Sequence, residues 1–403
     1  MTDNNLINNA TENQPIQSQG WWAILVRESK RMVVDPVYTF CIVFAPLFCY
    51  YFFTTLMSSG LPTDLPMGIV DQDNTTMTRQ MARNLDAFQQ SKIAGEYPDV
   101  TAARKAVQQG EIYGFYYIPK GTTVKAQRQE IPTVSFYTNS SYLVAGSLLY
   151  RDMRTISELI SGAAARTVLY AKGASEQQAM AFLQPIVIDT HPIGNPWVSY
   201  NIYLSNSIIP GMLMLFIFMI TVYSIGTEIK YRTAKKWLAM ANGNVVKALF
   251  FKLIPYSIAF TLMGWIYVFY LYGYLAFPCN CGIPTMLILV ALSVLACQGM
   301  GVLMISTLPT LRLGLSFASL WGVISFSIAG ISFPVMGMNP MLQGLSLLFP
   351  LRHYFILYVN CALNGYSLMD AWPYMGGLIC FALLPLLMAK RMKNVLLHAK
   401  YIP

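Results

Sequence analysis

The sequence predicts an α-helical membrane protein with six transmembrane helices, an inserted extracytoplasmic α/β domain and an outer re-entrant helical hairpin. Of the 403 residues, 55 % are hydrophobic and 11 % are charged, and the mean hydropathy is +0.46. Apolar runs of about 20 residues, the length that crosses a bilayer as a helix, recur along the chain. Between the first two runs the composition becomes mixed polar and charged, as in a folded domain that faces water.

Six apolar runs are long enough to cross a membrane. They lie at residues 37–57, 204–226, 248–273, 285–307, 313–332 and 373–390. Clusters of Lys and Arg in short loops stay on the cytoplasmic side. With the amino terminus inside, the basic residues gather on that side at 27–31, 230–247, Arg312 and 390–400. Arg352 is the exception in the short outer loops, so both termini are predicted to be cytoplasmic.

The amino-terminal segment divides into two parts. Residues 1–19 are polar and are predicted to be disordered. Residues 20–36 form an amphipathic pattern in which two tryptophans lie apart from the basic residues, which is typical of a helix in the membrane interface. The alternative is a cytoplasmic extension of the first transmembrane helix. Asp35-Pro36 favours the interfacial helix, because proline interrupts a continuous helix.

Residues 60–203 are predicted to form the extracytoplasmic α/β domain. PMGIVD, IYGFYYIP and PTVSFYT read as strands, and NTTMTRQMARNLDAF reads as an amphipathic helix. Asp99 and Gly110 bound a short helix as its cap residues, and residues 141–171 form a long one. Ser175 and Gln178 form a capping box. Strands that alternate with helices indicate a small sheet covered by helices.

Residues 204–403 hold the other five transmembrane helices, and one apolar segment there is not a span. Residues 333–360 are too apolar for a solvated loop, but three prolines and two glycines break them into short pieces. No piece reaches the roughly 18 apolar residues that a span requires. The segment is therefore predicted to be an outer hairpin of two short helices, buried against protein within the membrane.

The sequence holds no recognisable catalytic or cofactor site. Asp, Glu, His and Arg are missing from the apolar cores of the spans, although ion-coupled transporters usually need such groups there. Lys252 lies near a span end, where we expect its side chain to reach the interface. There is no phosphate-binding G-x-x-x-x-G-K-[ST] loop and no G-x-S-x-G nucleophile motif. We expect no metal, no cofactor and no ATPase site in this chain.

The cysteines and the net charge each support one further prediction. Cys279 and Cys281 lie in one outer loop and Cys361 in another, so an oxidising compartment makes a disulfide between one of the first two and Cys361 a candidate. The net charge of +9 is concentrated beside the spans. This placement indicates contact with anionic membrane lipid and argues against nucleic acid as a partner.

Four segments resemble the permease subunits of ABC-2-type exporters, in the subgroup with a large extracytoplasmic domain between the first and second transmembrane helices. They are RESKRMVVDP; MGIVDQDNTTMTRQMARNLDAF with GEIYGFYYIPKG; GTEIKYRTAKKWL; and FPVMGMNPMLQGLSLLFPLRHYF. Each motif is loose by itself, but their order and spacing are specific. Together they cover nearly the whole chain after residue 20.

The resemblance implies how such a chain is driven. Two permease chains, identical or different, would pair, and each would dock on a separate nucleotide-binding subunit that binds ATP and Mg²⁺. A cytoplasmic coupling helix at 227–245 would carry the motion of that subunit to the spans. The family's coupling positions correspond here to Glu228, Thr233 and Trp237. The family often has a second acid and a glycine in this region, where this chain has Lys230 and Arg232.

The resemblance also implies a role. It indicates ATP-driven efflux of amphipathic compounds, such as drugs or lipids, across the inner membrane of a bacterium. The outer domain would then engage a periplasmic adaptor protein. The alternative is an envelope receptor or scaffold whose outer domain binds a periplasmic partner. Six spans and a hairpin exceed what is needed to anchor one domain, which favours the exporter.

Overall fold

The computed structural model describes residues 20–128, 130–184 and 189–398. The chain divides into two compact units. We call Met1–Ser58 with Pro192–Pro403 the membrane unit, and Ser59–His191 the inserted unit. The disorder predicted for residues 1–19 lies outside the described residues.

The helices and strands follow one another along the chain. In order they are α1 (Gly20–Val34), α2 (Pro36–Leu56), β1 (Leu65–Asp71), α3 (Thr76–Asp86), β2 (Ser91–Glu96), α4 (Val100–Gln109), β3 (Gly114–Ile118), α5 (Thr122–Gln127), β4 (Ser135–Thr138), α6 (Leu143–Ala171), α7 (Glu176–Leu183), α8 (Tyr200–Lys230), α9 (Ala234–Met240), α10 (Val245–Tyr274), α11 (Ile283–Thr307), α12 (Leu311–Ile328), α13 (Pro340–Ser346), α14 (Pro350–Tyr358), α15 (Trp372–Leu387) and α16 (Ala389–His398).

The helices of the membrane unit confirm the predicted fold class. Among the described residues, α2, α8, α10, α11 and α12 are long and apolar enough to cross a bilayer. The pair α15 and α16 passes the same test as a single element, bent by 42° at the break between them. The protein therefore has five candidate spans, or six if that pair counts as one. The observed helices overlap all six predicted apolar runs.

The spans differ in how much of their surface the chain itself covers. In the most apolar stretches of α8 and α11, 67 % and 72 % of the residues are buried. The corresponding values are 33 % for α2 and 28 % for α12. The first pair thus forms the centre of the membrane unit, while α2 and α12 leave apolar faces uncovered.

One glycine sets a close approach between helices in this unit. A Cβ added to Gly299 on α11 would lie 1.9 Å from the carbonyl oxygen of Phe381 on α15. The two backbones therefore touch, which is the role that small residues have between membrane helices.

The apolar segment after α12 consists of short helices. A 3₁₀ turn at Val335–Gly337 is followed by α13 and α14, and α14 continues as a π-helical turn at Val359–Leu363. Both α-helices begin with proline, whose missing N–H is not needed in the first turn. Neither is long enough to cross a bilayer.

α1 and α2 are separated by a one-residue break at Asp35. The Asp35 carboxylate accepts a hydrogen bond from the backbone N–H of Val37 at 3.0 Å and caps α2, which begins with Pro36. α1 exposes Trp21 and buries Ile24 and Glu28. The predicted break at Asp35-Pro36 is thus confirmed, and α1 directs a carboxylate into the protein.

The inserted unit is built on a four-stranded mixed sheet. The strand order is β2-β1-β3-β4, with β1 parallel to β2 and β3, and β4 antiparallel to β3. Met67, Ile69 and Tyr116 pack against α3 and α6 on one face, while Val70 and Phe115 pack against α4 on the other. Helices therefore cover both faces, as predicted for the α/β domain.

The sequence predicted most elements of this unit and missed one strand. The three predicted strands correspond to β1, β3 and β4, and the predicted caps Asp99, Gly110 and Ser175 are all observed. β2 (SKIAGE) was not predicted. It is an edge strand in which exposed and partly covered residues alternate, with Ile93 as its one large apolar side chain, so it gives almost no hydrophobic signal.

Asp73 fixes the turn that follows β1. Its carboxylate accepts hydrogen bonds from the Thr123 hydroxyl at 2.5 Å and from the backbone N–H groups of Thr123 and Gly121 at 2.9 and 2.7 Å. These bonds, chiefly that from the Thr123 hydroxyl, hold the pKa of Asp73 below its usual value. The turn is therefore tied to the start of α5 by an ionised carboxylate.

Candidate functional site

Four helices of the membrane unit meet beside the basic loop between α8 and α10. α8 ends at Lys230, and the loop holds the short helix α9. Arg232 and Asn242 adopt left-handed backbone angles, φ 57° and 53°, on either side of α9. α10 begins after Asn244, whose side chain accepts a hydrogen bond from the Lys247 N–H at 3.1 Å. The helix predicted at 227–245 is therefore wrong in length, since these turns limit it to Ala234–Met240.

A buried ion triad joins these helices. Lys252 on α10 places Nζ 2.9 Å from Oε2 of Glu28 on α1 and 3.1 Å from Oε1 of Glu228 on α8. The side chains of all three are at most 1 % exposed. Buried charges are stable only when they are paired and hydrogen-bonded. The triad therefore links three helices at one point inside the protein.

Two arginines of α1 complete what we call the ionic cluster, together with the triad. Arg27 Nη2 lies 2.6 Å from Glu28 Oε1 and 2.9 Å from Glu228 Oε1. Arg31 Nη1 lies 3.0 Å from Glu228 Oε1, and its Nη2 donates to the Thr227 hydroxyl at 3.1 Å. Three cations thus face two carboxylates, and the arginines are partly open to solvent.

Neutral side chains add further contacts to the charged groups of the cluster. Thr233 donates its hydroxyl hydrogen to Glu228 Oε2, and Tyr256 Oη donates to Glu28 Oε2 at 3.0 Å. Lys252 Nζ lies 5.0 Å from the centre of the Trp237 ring, within the range of a cation–π interaction. Burial raises the pKa of Glu28, but the charges of Lys252 and Arg27 outweigh it and the pKa lies below its usual value.

The contacts of the ionic cluster hold several helices together. They hold α1, α8 and α10 together through charges that cannot separate without exposing a buried ion, and α9 joins them through Thr233 and Trp237. Among the residues that the structure describes, no group of three or more His, Cys, Asp or Glu side chains is placed to hold a metal. The ionic cluster is thus a joint between the basic loop and two spans.

The structure brings the three predicted coupling residues together but buries two of them. Glu228 and Thr233 are hydrogen-bonded, and Trp237 lies against Lys252 in the same cluster. Glu228 and Trp237 are buried, so their side chains do not form the outer surface of the loop. That surface carries basic residues instead. They are Lys230, Arg232, Lys235 and Lys236.

Sequence reasoning missed the other half of the ionic cluster. The expectation that Lys252 reaches the membrane interface is wrong, because its side chain is 0 % exposed and paired with two carboxylates. Glu28 was not singled out. A signal was present, since Glu28 follows Ile24 by four residues and therefore lies on the same face of α1.

The three cysteines considered for a disulfide are Cys279 and Cys281, which follow the end of α10, and Cys361, which follows α14. Cys279 and Cys281 have their sulfur atoms 3.9 Å apart, and all seven cysteines are free thiols in the structure. The Asn280 N–H donates to the carbonyl oxygen of Ala362 at 2.8 Å, so this loop is held beside the segment that contains Cys361. The disulfide with Cys361 stays a prediction.

Comparisons with known proteins agree with this architecture. Residues 36–390 match the family described as ABC-2 family transporter protein. The chain is also 21 % identical, over 349 residues, to the linearmycin resistance permease protein LnrN of Bacillus subtilis (strain 168). That alignment covers 84 % of this chain and 90 % of the relative. The chain therefore belongs to the ABC-2 family of transporter proteins and is a multi-pass membrane permease subunit without an ATPase domain.

Proposed function

We propose that this permease exports amphipathic compounds, such as drugs or lipids, across the bacterial inner membrane, using ATP and Mg²⁺ bound by separate ATPase subunits. The observation that carries the proposal is the ionic cluster, which connects a basic loop to two spans through buried charges. In this proposal both termini and the basic loop are cytoplasmic, as the distribution of Lys and Arg indicates.

The ionic cluster supports a defined route for the coupling motion. The exposed lysines of α9, Lys235 and Lys236, offer a basic surface to an acidic groove of the ATPase subunit. On the inner side of α9, Trp237 packs against Lys252, which is bonded to α1 and α8. Separating these charges costs several kcal/mol. A displacement of α9 is therefore transmitted to α8 and α10 before the joint opens.

Glu228 and Trp237 act in this proposal as positioning residues. Their burial means that they orient Lys252 and α9 and do not contact the ATPase subunit. Thr233 lies at the start of α9 and holds Glu228 through its hydroxyl group. The contact with the partner is left to the basic residues of the loop.

The substrate class rests on two points. The relative in Bacillus subtilis is named for resistance to linearmycin, which supports a drug as the exported compound. The spans that the chain leaves uncovered are rich in large apolar side chains, which suit amphipathic ligands. No single compound is favoured by these residues.

The uncovered faces of α2 and α12 support pairing with a second permease chain, identical or different. Phe44, Phe48 and Tyr51 are exposed on α2, as are Leu320 and Val323 on α12. Exposed apolar patches mark surfaces that contact another protein or the membrane. The inserted unit has its own hydrophobic cores on both faces of its sheet. In this proposal it is the part that binds a periplasmic adaptor protein.

Affinity purification of the tagged chain from detergent-solubilised native membranes tests the proposal. We expect a nucleotide-binding subunit with ATPase activity to co-purify, and charge reversal of Lys235 and Lys236 to glutamate to weaken its capture. The matched control reverses Lys92 and Lys125, two exposed lysines of the inserted unit. Recovery of envelope proteins without any ATPase would favour a receptor or scaffold instead.

A further inference from the structure

A cleft opens on the side of the membrane unit formed by α10, α11 and α15. Its volume is about 520 Å³, and its lining is mostly apolar. Phe250 and Leu253 line it from α10, Leu295 from α11, and Leu383 and Leu386 from α15. The size falls in the range of ligand pockets, which is roughly 300–1,000 Å³.

The polar side chains that line the cleft, Ser257 and Gln298, are hydrogen-bonded within the protein. Gln298 is 3 % exposed, and its Oε1 accepts a hydrogen bond from the Ser257 hydroxyl at 2.6 Å. Its Nε2 donates to the carbonyl oxygen of Leu253 at 3.5 Å. A ligand therefore meets hydrocarbon along the cleft and gains little from polar groups of its own there. This favours a flexible apolar chain as the occupant.

The length of the cleft matches one leaflet of a bilayer. The α10 residues that line it run from Val246 to Ile258, a rise of about 18 Å along a helix. Half of the hydrocarbon core is about 15 Å. The cleft begins at the end of α10 that follows the basic loop, and on α15 it ends at Leu386, just before α16.

Three exposed lysines lie on the helices next to this end of the cleft. Lys247 precedes the lining residues Phe250 and Ile254 by three and seven positions and so shares their face of α10. Lys390 and Lys393 belong to α16. Arg391 Nε donates to the carbonyl oxygen of Ser306 at 2.9 Å, which fixes α16 against the end of α11.

These lysines lack acidic partners. In the part of the chain that the structure describes, no salt bridge includes Lys247, Lys390 or Lys393. Residues 200–403 contain two acidic residues, Glu228 and Asp370, and Glu228 is buried in the ionic cluster. The end of the cleft is thus cationic and uncompensated.

We propose that the cleft binds an anionic phospholipid, with one acyl chain between α10 and α15 and the headgroup phosphate on Lys247, Lys390 and Lys393. Basic pockets between helices at the cytoplasmic side bind anionic headgroups. Charge complementarity selects such a lipid over a neutral one, since the apolar lining holds any acyl chain equally well. The inference rests on the membrane unit and is independent of the compound exported.

The test measures retained lipid and thermal stability of the purified, delipidated full chain after adding phosphatidylglycerol or phosphatidylcholine. We expect phosphatidylglycerol to be retained and to raise the Tm more than phosphatidylcholine does. Changing both lysines of α16 to glutamine, K390Q with K393Q, should weaken phosphatidylglycerol retention roughly 30-fold, the effect of removing two charges near the headgroup. The matched control is K30Q with R312Q, which removes two exposed charges elsewhere on the membrane unit.

A second variant tests whether the cleft binds the acyl chain of the lipid. Leu383→Trp fills the cleft from a side chain that is 48 % exposed, and it should abolish retention of both lipids. Equal retention of phosphatidylcholine by the wild-type chain would overturn the anionic assignment. If the K30Q with R312Q control lost as much phosphatidylglycerol retention as K390Q with K393Q, general surface charge would explain the effect and the assigned headgroup site would be wrong. Retention unchanged in Leu383→Trp would show that the lipid lies elsewhere.

Discussion

Replacing Lys252 with methionine removes one charge from the ionic cluster while keeping most of the volume of the side chain. The ammonium group bonds both Glu28 and Glu228, at 2.9 and 3.1 Å, and is fully buried. Removing one partner of a buried ion pair costs about 3–5 kcal/mol, because the other charge is left without compensation. Both carboxylates here keep an arginine, so we expect the lower end, about 3 kcal/mol of unfolding free energy.

The assay is equilibrium unfolding of the purified protein in detergent, arranged as a double-mutant cycle with Glu28→Gln. Glu28 and Lys252 touch, so the double variant should lose less than the sum of the single losses, by at least about 1 kcal/mol. Lys236→Met serves as the control, because this exposed lysine lies on the same loop surface and should change the free energy by less than about 0.5 kcal/mol.

Two results would refute the reasoning. A Lys252→Met variant as stable as the Lys236→Met control would mean that the buried ammonium group contributes nothing. Strict additivity of Lys252→Met and Glu28→Gln would mean that the two side chains act independently. In either case the ionic cluster would not be the joint that holds α1 to α10.

Three further predictions concern Glu228, Asp73 and Gly299. Glu228→Ala should lower export without loss of membrane insertion, measured as ATP-dependent uptake into inverted vesicles, and unchanged uptake would remove Glu228 from the mechanism. The lowered pKa of Asp73 means that its carboxylate stabilises the fold above the unfolded-state pKa of about 3.9 and loses this effect as pH falls through the folded-state pKa. Asp73→Asn should therefore flatten the acid side of a stability–pH curve, and an unaltered curve would contradict the assignment. Gly299→Ala should cost roughly 1–3 kcal/mol through overlap with the Phe381 carbonyl, seen as a lower Tm, and a wild-type Tm would disprove the close contact.

The sequence could predict the spans because each is a continuous apolar run. The ends of the long helices α8 and α11 lie within four residues of their predicted positions. β2 could not be predicted, since an edge strand with one large apolar residue leaves no periodicity to detect. Residue types place a helix in a membrane. They do not reveal which face of that helix another element covers.

The ionic cluster shows the same limit at a functional site. The family motif indicates Glu228, but its partners lie on α1 and α10. The spacing of residues along one helix does not predict which distant helix will pair with it. Lys252 interrupts an apolar stretch, and a side chain that reaches the interface was an equally physical reading of that pattern. Three-dimensional packing decided between a surface lysine and a buried one.

The ion triad also constrains the order in which the chain is assembled. Glu28 and Glu228 leave the ribosome before Lys252, because synthesis proceeds from the amino terminus. Until α10 docks, only Arg27 and Arg31, which travel with Glu28 on α1, are at hand to compensate the two acids. The buried pairing therefore forms only after α10 has been made, and a chain that stops before Lys252 retains two carboxylates without their buried cation.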